Sequence, residues 1–229
     1  MYKHKRTYTR KGKYARRRRK FMGRVPRKQI GFPKSQTVKM RYVDQVTLDS
    51  NGLVLAQHSF SANSIFDPDV SGSGHQPLGR DEWFNFYDHY IVTSSSIRAT
   101  FFPTSSAAVI PSVAGILLND SGTPISGLNA YTLCEQGLSN YKIVSENQST
   151  GKPTSISKSF NSKAFFNIGD IKDNFKTLGA GQNASPTEQA YFNIYSQPCD
   201  LTTDTGSYQV IVQIDYNVCF SEPKQLAQS

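Results

Sequence analysis

The sequence predicts an all-β fold: an eight-stranded jelly-roll β-sandwich carrying a disordered basic N-terminal arm. Three observations predict it. Two long segments near the ends of the 229-residue chain alternate apolar and polar residues with a period of two, the mark of a half-buried strand rather than of a helix, whose period is 3.6. Six shorter strand-like segments lie between them, bounded by turn residues and without βα alternation. The charge is also partitioned. Residues 1–41 hold 17 Lys and Arg and no acid, whereas residues 42–229 hold 9 Lys and Arg against 17 Asp and Glu, so a segment of +17 joins one of −8.

The arm comes first. Residues 1–35 carry almost no aliphatic periodicity and are punctuated by Gly12, Gly23, Pro26, Gly31 and Pro33. Such a segment buries too little apolar surface to offset the entropy of ordering, and it is expected to stay disordered until bound. Its cations are Lys3, Lys5, Arg6, Arg10, Lys11, Lys13, Arg16, Arg17, Arg18, Arg19, Lys20, Arg24, Arg27 and Lys28, followed by Lys34. Lys and Arg displace counterions condensed on a polyphosphate whatever its sequence, so Lys3–Lys28 are the candidate nucleic-acid-binding residues. Tyr2, Tyr8 and Tyr14, with Phe21, are interleaved among them and are candidates for stacking on unpaired bases. The dense block Arg16–Lys20 is also the candidate nuclear localisation signal.

A jelly-roll domain is expected over residues 36–221, with a C-terminal tail over 222–229. Residues 37–48 place Val38, Met40, Tyr42, Val46 and Leu48 in alternation with polar residues, broken only at Asp44. Residues 207–220 are more regular, with Tyr208, Val210, Val212, Ile214, Tyr216, Val218 and Phe220 on one face. Further strands are expected at 53–60, 90–102, 112–118, 141–145, 155–160 and 189–196, with turns at Asn51-Gly52, Asp120 to Gly122, Gly151 to Pro153 and Asp204 to Gly206. One helix is expected at 81–88, because Trp83, Phe86, Tyr87 and Tyr90 fall at i, i+3, i+4 and i+7. Eight strands, the two longest at the ends, fit a two-sheet jelly roll.

Enzymatic chemistry finds little purchase. His4, His58, His75 and His89 form neither HExxH nor another metal-ligand spacing, and GxSxG and GxxxxGK[ST] are absent. No catalytic residue, metal or cofactor is expected. His75 is expected to brace a loop, and Asp67-Pro-Asp69 to be an exposed turn rather than a calcium site. Cys134, Cys199 and Cys219 have no CxxC spacing, and the last two are read as small buried hydrophobes in a reducing compartment. No apolar run approaches the about twenty residues of a membrane span, and no secretory signal follows the basic start.

One segment carries a resemblance. Gly74, His75, Gln76, Pro77, Gly79, Asp81, Trp83, Tyr87, His89 and Tyr90 stand in the order GHQPxGxDxWxxxYxHY. This resembles a segment of the coat proteins of circular single-stranded DNA viruses, the circoviruses and their relatives. The resemblance implies a jelly-roll capsid subunit and sixty copies in a small icosahedral shell. It also implies an arm facing the encapsidated single-stranded DNA, engagement of a host nuclear import receptor and a host cell-surface receptor of unstated identity. The ten motif residues would then be structural or assembly residues. The arm departs from the circovirus pattern, mixing Lys, Tyr and Thr among its arginines. Residue chemistry alone leaves two rivals, a cellular nucleic-acid-binding β-protein with a basic tail and a lectin-like sandwich. The net acidity of residues 42–229 argues against the first, since it offers no basic groove of its own.

Overall fold

The structure, a computed structural model, describes residues 32–104, 111–123, 125–144, 153–204 and 206–225. The chain divides into residues 1–32 and a folded unit from Pro33 onward. The folded unit contains β1 (Ser35–Ser50), β2 (Ala56–Ser61), α1 (Arg80–Phe84), β3 (Tyr87–Pro103), β4 (Ser112–Asn119), α2 (Ala130–Glu135) and β5 (Ser139–Val144). It continues with β6 (Thr154–Asn161), α3 (Ser162–Phe165), a 3₁₀ turn (Lys172–Asn174), α4 (Phe175–Leu178), β7 (Gly179–Gly181), β8 (Tyr191–Pro198) and β9 (Gly206–Pro223). β9 runs past the expected limit of the domain at residue 221 because Pro223 still pairs with Tyr87.

Two antiparallel sheets face each other. One has the order β1-β9-β3-β6 with the short β7 paired to β3, and the other has the order β2-β8-β4-β5. Successive strands alternate between the sheets except at β4 to β5 and at β6 to β7, which is the jelly-roll connection; the eight long strands are those of the expected fold and β7 is an addition. β1 and β9, far apart in sequence, pair from Ser35↔Ser221 to Ser50↔Gly206 without a slip. That register puts Met40, Tyr42 and Leu48 and the whole row Tyr208 to Phe220 into one core with Phe60, Ile116, Phe192 and Ile194 of the opposite sheet. Asp44, the break in the β1 pattern, sits beside Tyr42 and accepts its hydroxyl hydrogen at 2.5 Å. A carboxylate on the inward side of the edge strand is thereby tolerated. Tyr216, wholly buried, donates to the Ser61 carbonyl at 2.7 Å.

β3 changes its alternation part-way. Tyr90 and Val92 point inward, then Ser95, Ile97, Ala99 and Phe101 do. A bulge between Val92 and Ser94 supplies the extra residue, Thr93, whose Oγ1 donates to the Asn217 carbonyl at 3.1 Å. The helix expected at 81–88 is correspondingly short. Only residues 80–84 are helical, and Tyr87 and Tyr90 belong to β3. The i, i+3, i+4, i+7 spacing misled because Phe84, off that face, is the buried residue, whereas Phe86, on it, is exposed.

The outer faces of the two sheets differ. That of β2-β8-β4-β5 is covered by the segment around α2, where Ala130 and Leu133 pack on Leu55, Val113, Leu117 and Tyr195. Asn129 caps α2 by accepting from the Thr132 N–H at 2.9 Å, an end signal too local to be read as a helix from periodicity. Gly115 of β4 pairs with Tyr195, whose ring lies over it. A Cβ at Gly115 would come within 2.3 Å of that ring. Gly115→Ala is therefore expected to lower stability by about 1–3 kcal/mol through overpacking, read by thermal or denaturant melting. An unchanged melting midpoint would contradict the packing described.

Candidate nucleic-acid interface and its supporting loop cluster

The arm residues Lys3 to Lys28, the tyrosines Tyr2, Tyr8 and Tyr14 and the block Arg16–Lys20 all lie outside the described residues, as does Ser145 at the end of one expected strand. Three further cations of the +17 segment are described: Lys34, Lys39 and Arg41, all exposed at or along β1. They belong to the charge of that segment but lie outside the binding residues expected from sequence.

The ten motif residues occupy one end of the sandwich, and three of them, Gln76, Pro77 and Asp81, share Arg80 as a partner. Gly74 lies where any Cβ would stand 2.5 Å from the Tyr42 hydroxyl and 2.8 Å from the Asp69 Cβ, so only glycine fits. His75 places Nδ1 2.9 Å from the Gln76 carbonyl and Nε2 2.9 Å from the Val43 carbonyl of β1. Gln76 donates to the Phe66 carbonyl and accepts from Arg80, both at 2.8 Å. The Pro77 carbonyl accepts from the Arg80 N–H at 3.2 Å, and Gly79 precedes α1 at φ 79°. Asp81 accepts from Arg80 Nη1 at 2.7 Å.

The remaining four reach β9 and the loops. Trp83 stacks on Phe220, with centroids 5.6 Å apart and planes 18° apart. It is half-buried rather than fully enclosed. Tyr87, buried, donates to the Pro33 carbonyl at 3.0 Å, beside the start of β1. His89 meets Glu222 at 3.0 Å and lies edge-on to Phe175. Tyr90 donates to the Ala184 carbonyl at 3.2 Å and sits 3.1 Å from the Ser64 hydroxyl, and its burial raises its pKa. The arrangement fastens residues 33, 43, 66, 184, 220 and 222 to one another. It does not converge reacting groups on a common point.

Arg80, an unassigned position between motif residues, completes the cluster. Its side chain is 2% exposed, lies over the rings of Phe84 and Phe66, and also donates to the Gln182 carbonyl. Burial lowers its pKa, against the pull of Asp81. The only signal for it in sequence was an arginine within an otherwise acidic stretch, a pattern that describes many surface residues too.

Two expectations are corrected nearby. Asp69 is not in an exposed turn but 2% exposed, bridged to Phe60 and accepting from His58 at 2.8 Å and from the Ser71 N–H at 2.9 Å. A carboxylate with such donors is stable when buried. Burial and neighbouring Asp69 raise the pKa of Asp67. Among the described residues no three His, Cys, Asp or Glu side chains form a metal-holding group. Cys199 and Cys219 are partly exposed rather than buried, because Cys199 follows β8 and Cys219 stands on the outward side of β9.

His75 gives this cluster a pH dependence. Both of its partners are carbonyls, which only accept, so both contacts are hydrogen bonds only when the imidazole carries two protons. The Gln76 and Val43 carbonyls, in that order, raise its pKa above 6.5, and Asp44 adds to them. A folded-state value above the unfolded one stabilises at pH below about 6.5 and loses that stabilisation as pH rises through the folded value. The ring is exposed, so the amplitude is small. An NMR titration of dissociated subunits is expected to place the His75 midpoint above 6.5, and a midpoint below that would contradict the two-carbonyl geometry.

No family model and no curated protein matches the chain. Among solved structures it is similar to that of desmodium yellow mottle tymovirus, with 16% identity, 88% of this chain and 95% of that one covered and a TM-score of 0.40. It is likewise similar to the empty head of turnip yellow mosaic virus, with 12% identity, 98% and 94% covered and a TM-score of 0.43. A third is the 60-mer BFDV capsid protein, with 10% identity, 86% and 100% covered and a TM-score of 0.40.

Proposed function

We propose that this chain is the capsid protein of a small, circovirus-like single-stranded DNA virus. In this reading residues 36–221 form the shell, residues 1–35 bind the genome and the block Arg16–Lys20 directs import into the host nucleus. The carrying observation is the union of a +17 segment with a net acidic jelly roll. A cation-dense tail binds phosphates without reading sequence, which suits enclosing an entire genome. The net negative charge of the remainder leaves that task to the tail and to the surfaces nearest it. The motif at 74–90 supports the same reading, since its residues clamp the end of the sandwich from which β1 begins. Sixty subunits follow from the family resemblance.

Electron microscopy of the purified full chain tests the proposal. Uniform closed shells are the expected result. A chain that stays a single subunit while binding nucleic acid would instead favour a cellular nucleic-acid-binding β-protein.

A further inference from the structure

We propose that the outward face of the β1-β9-β3-β6 sheet is a second binding surface for the phosphate backbone of single-stranded nucleic acid, extending the one provided by the arm. This rests on the packaging function proposed above. The starting observation is the asymmetry between the sheets. The outer face of β2-β8-β4-β5 is covered over β8 and β4 by α2 and its apolar contacts. The other sheet keeps an uncovered outward face across its central rows, and that face is almost wholly hydrophilic.

The register defines it. One row across the sheet reads Arg41, Asp215, Ser96, Ser159. The row on one side adds Lys39, that on the other adds Arg98, and the remaining positions of those two rows are Asn, Gln and Ser except for Val43. Arg41 Nε lies 2.6 Å from one oxygen of Asp215 and its Nη2 3.2 Å from the other. That pair holds the Asp215 carboxyl below the usual carboxylate range and neutralises the single acid of the three rows. Lys39 and Arg98, both exposed, set the net sign as positive. A shallow depression of about 470 Å³ opens beside Lys39 and Arg41, lined also by Met40, Ser96, Asp215 and Asn217.

Three arguments favour a nucleic acid as occupant. The three rows hold Lys39, Arg41 and Arg98 against Asp215, a net charge of +2, whereas residues 42–229 as a whole are net −8. The cationic run is continuous in sequence with the arm, since no acid precedes Asp44 and Lys34, Lys39 and Arg41 carry the run along β1. The donors are also regularly placed, repeating at about 6.8 Å along a strand and about 4.8 Å between strands, which suits a linear polyanion. A second copy of the chain fits less well, because the centre of a subunit interface is depleted in charge and rich in aromatic residues, whereas nucleic-acid interfaces are polar and positive.

The test compares dissociated full-length subunits binding a thirty-nucleotide oligo(dT) across a range of salt concentrations. Lys39→Gln with Arg98→Gln removes two exposed cations from the face. Lys142→Gln with Lys163→Gln removes two elsewhere. At about 0.7 per single-strand phosphate contact, the sheet variant is expected to flatten the slope of log affinity against log salt by about 1.4, and the control pair by clearly less. Equal flattening in both pairs would overturn the inference, because net charge alone would then explain it. An unchanged slope in the sheet variant would overturn it too, and loss of assembly with that unchanged slope would assign the face to another copy of the chain. If Arg16–Arg19→Ala still weakens binding in either case, the arm reading survives. If no variant, the arm variant included, alters binding, the packaging function itself fails.

Discussion

Changing Arg16, Arg17, Arg18 and Arg19 together to alanine is expected to leave shells that form but hold less nucleic acid. The variant removes four of the 17 cations of residues 1–41. In a sixty-subunit particle that is 240 of 1,020 charges, about a quarter of those available to balance phosphates. For the dissociated subunit the salt slope on oligo(dT) is expected to flatten by about 2.8, twice the change expected for the sheet variant. Reach is no obstacle, because 34 extended residues span up to about 120 Å. The absorbance ratio of purified particles reads the packaged nucleic acid directly. Unchanged content together with an unchanged slope would move the packaging role from the arm to the folded domain.

The largest effect on the fold is expected from Phe220→Ala. Phe220 is fully buried near the end of β9 and its ring contacts those of Trp83, Phe84 and Tyr87, with centroids 5.6, 5.4 and 6.2 Å away. Truncating a buried phenylalanine costs about 3–5 kcal/mol, a large part of the about 5–15 kcal/mol that holds a typical domain together. Loss here also frees α1 and the loop that carries His75, so particle yield is expected to fall with the melting temperature. Trp83→Ala is expected to do less, because the indole is only half covered. A Phe220→Ala chain that melts like the parent would contradict the aromatic cluster as the organiser of this end.

Much of this architecture was legible because one physical rule dominates it. Where a strand has one wet and one dry face, alternation survives in the sequence, as in the row Tyr208 to Phe220, and the core face can be named in advance. β4 offered no such alternation. Both of its faces are covered, by the opposite sheet and by α2, and it reads as the short apolar run Ala114 to Leu118. The bulge at Thr93 was visible only as a change of parity between Val92 and Ile97, which ordinary sequence variation imitates. The small helices α2 to α4 are four to six residues long. They are held by Asn caps or by the turns around them rather than by an amphipathic stripe, and no periodicity announces them.

The site was legible differently. The charge of the arm is a property of composition and needs no fold. The partners of the motif residues needed the topology, because His75 finds Val43, Tyr87 finds Pro33 and Tyr90 finds Ala184 only once β1, β3 and the loop before β8 are placed side by side. The polar sheet face is a still longer-range property. Lys39 and Arg98 are 59 positions apart in the chain and come to share one face only through β9, which pairs with both of their strands.

The mass of purified, nuclease-treated particles tests the central claim most directly. Sixty copies of a 25.5 kDa chain give about 1.5 MDa of protein, and the expected particle has that mass plus nucleic acid that the nuclease cannot reach. A species with the mass of a single subunit, or a closed shell that protects no nucleic acid although the arm is intact, would contradict it.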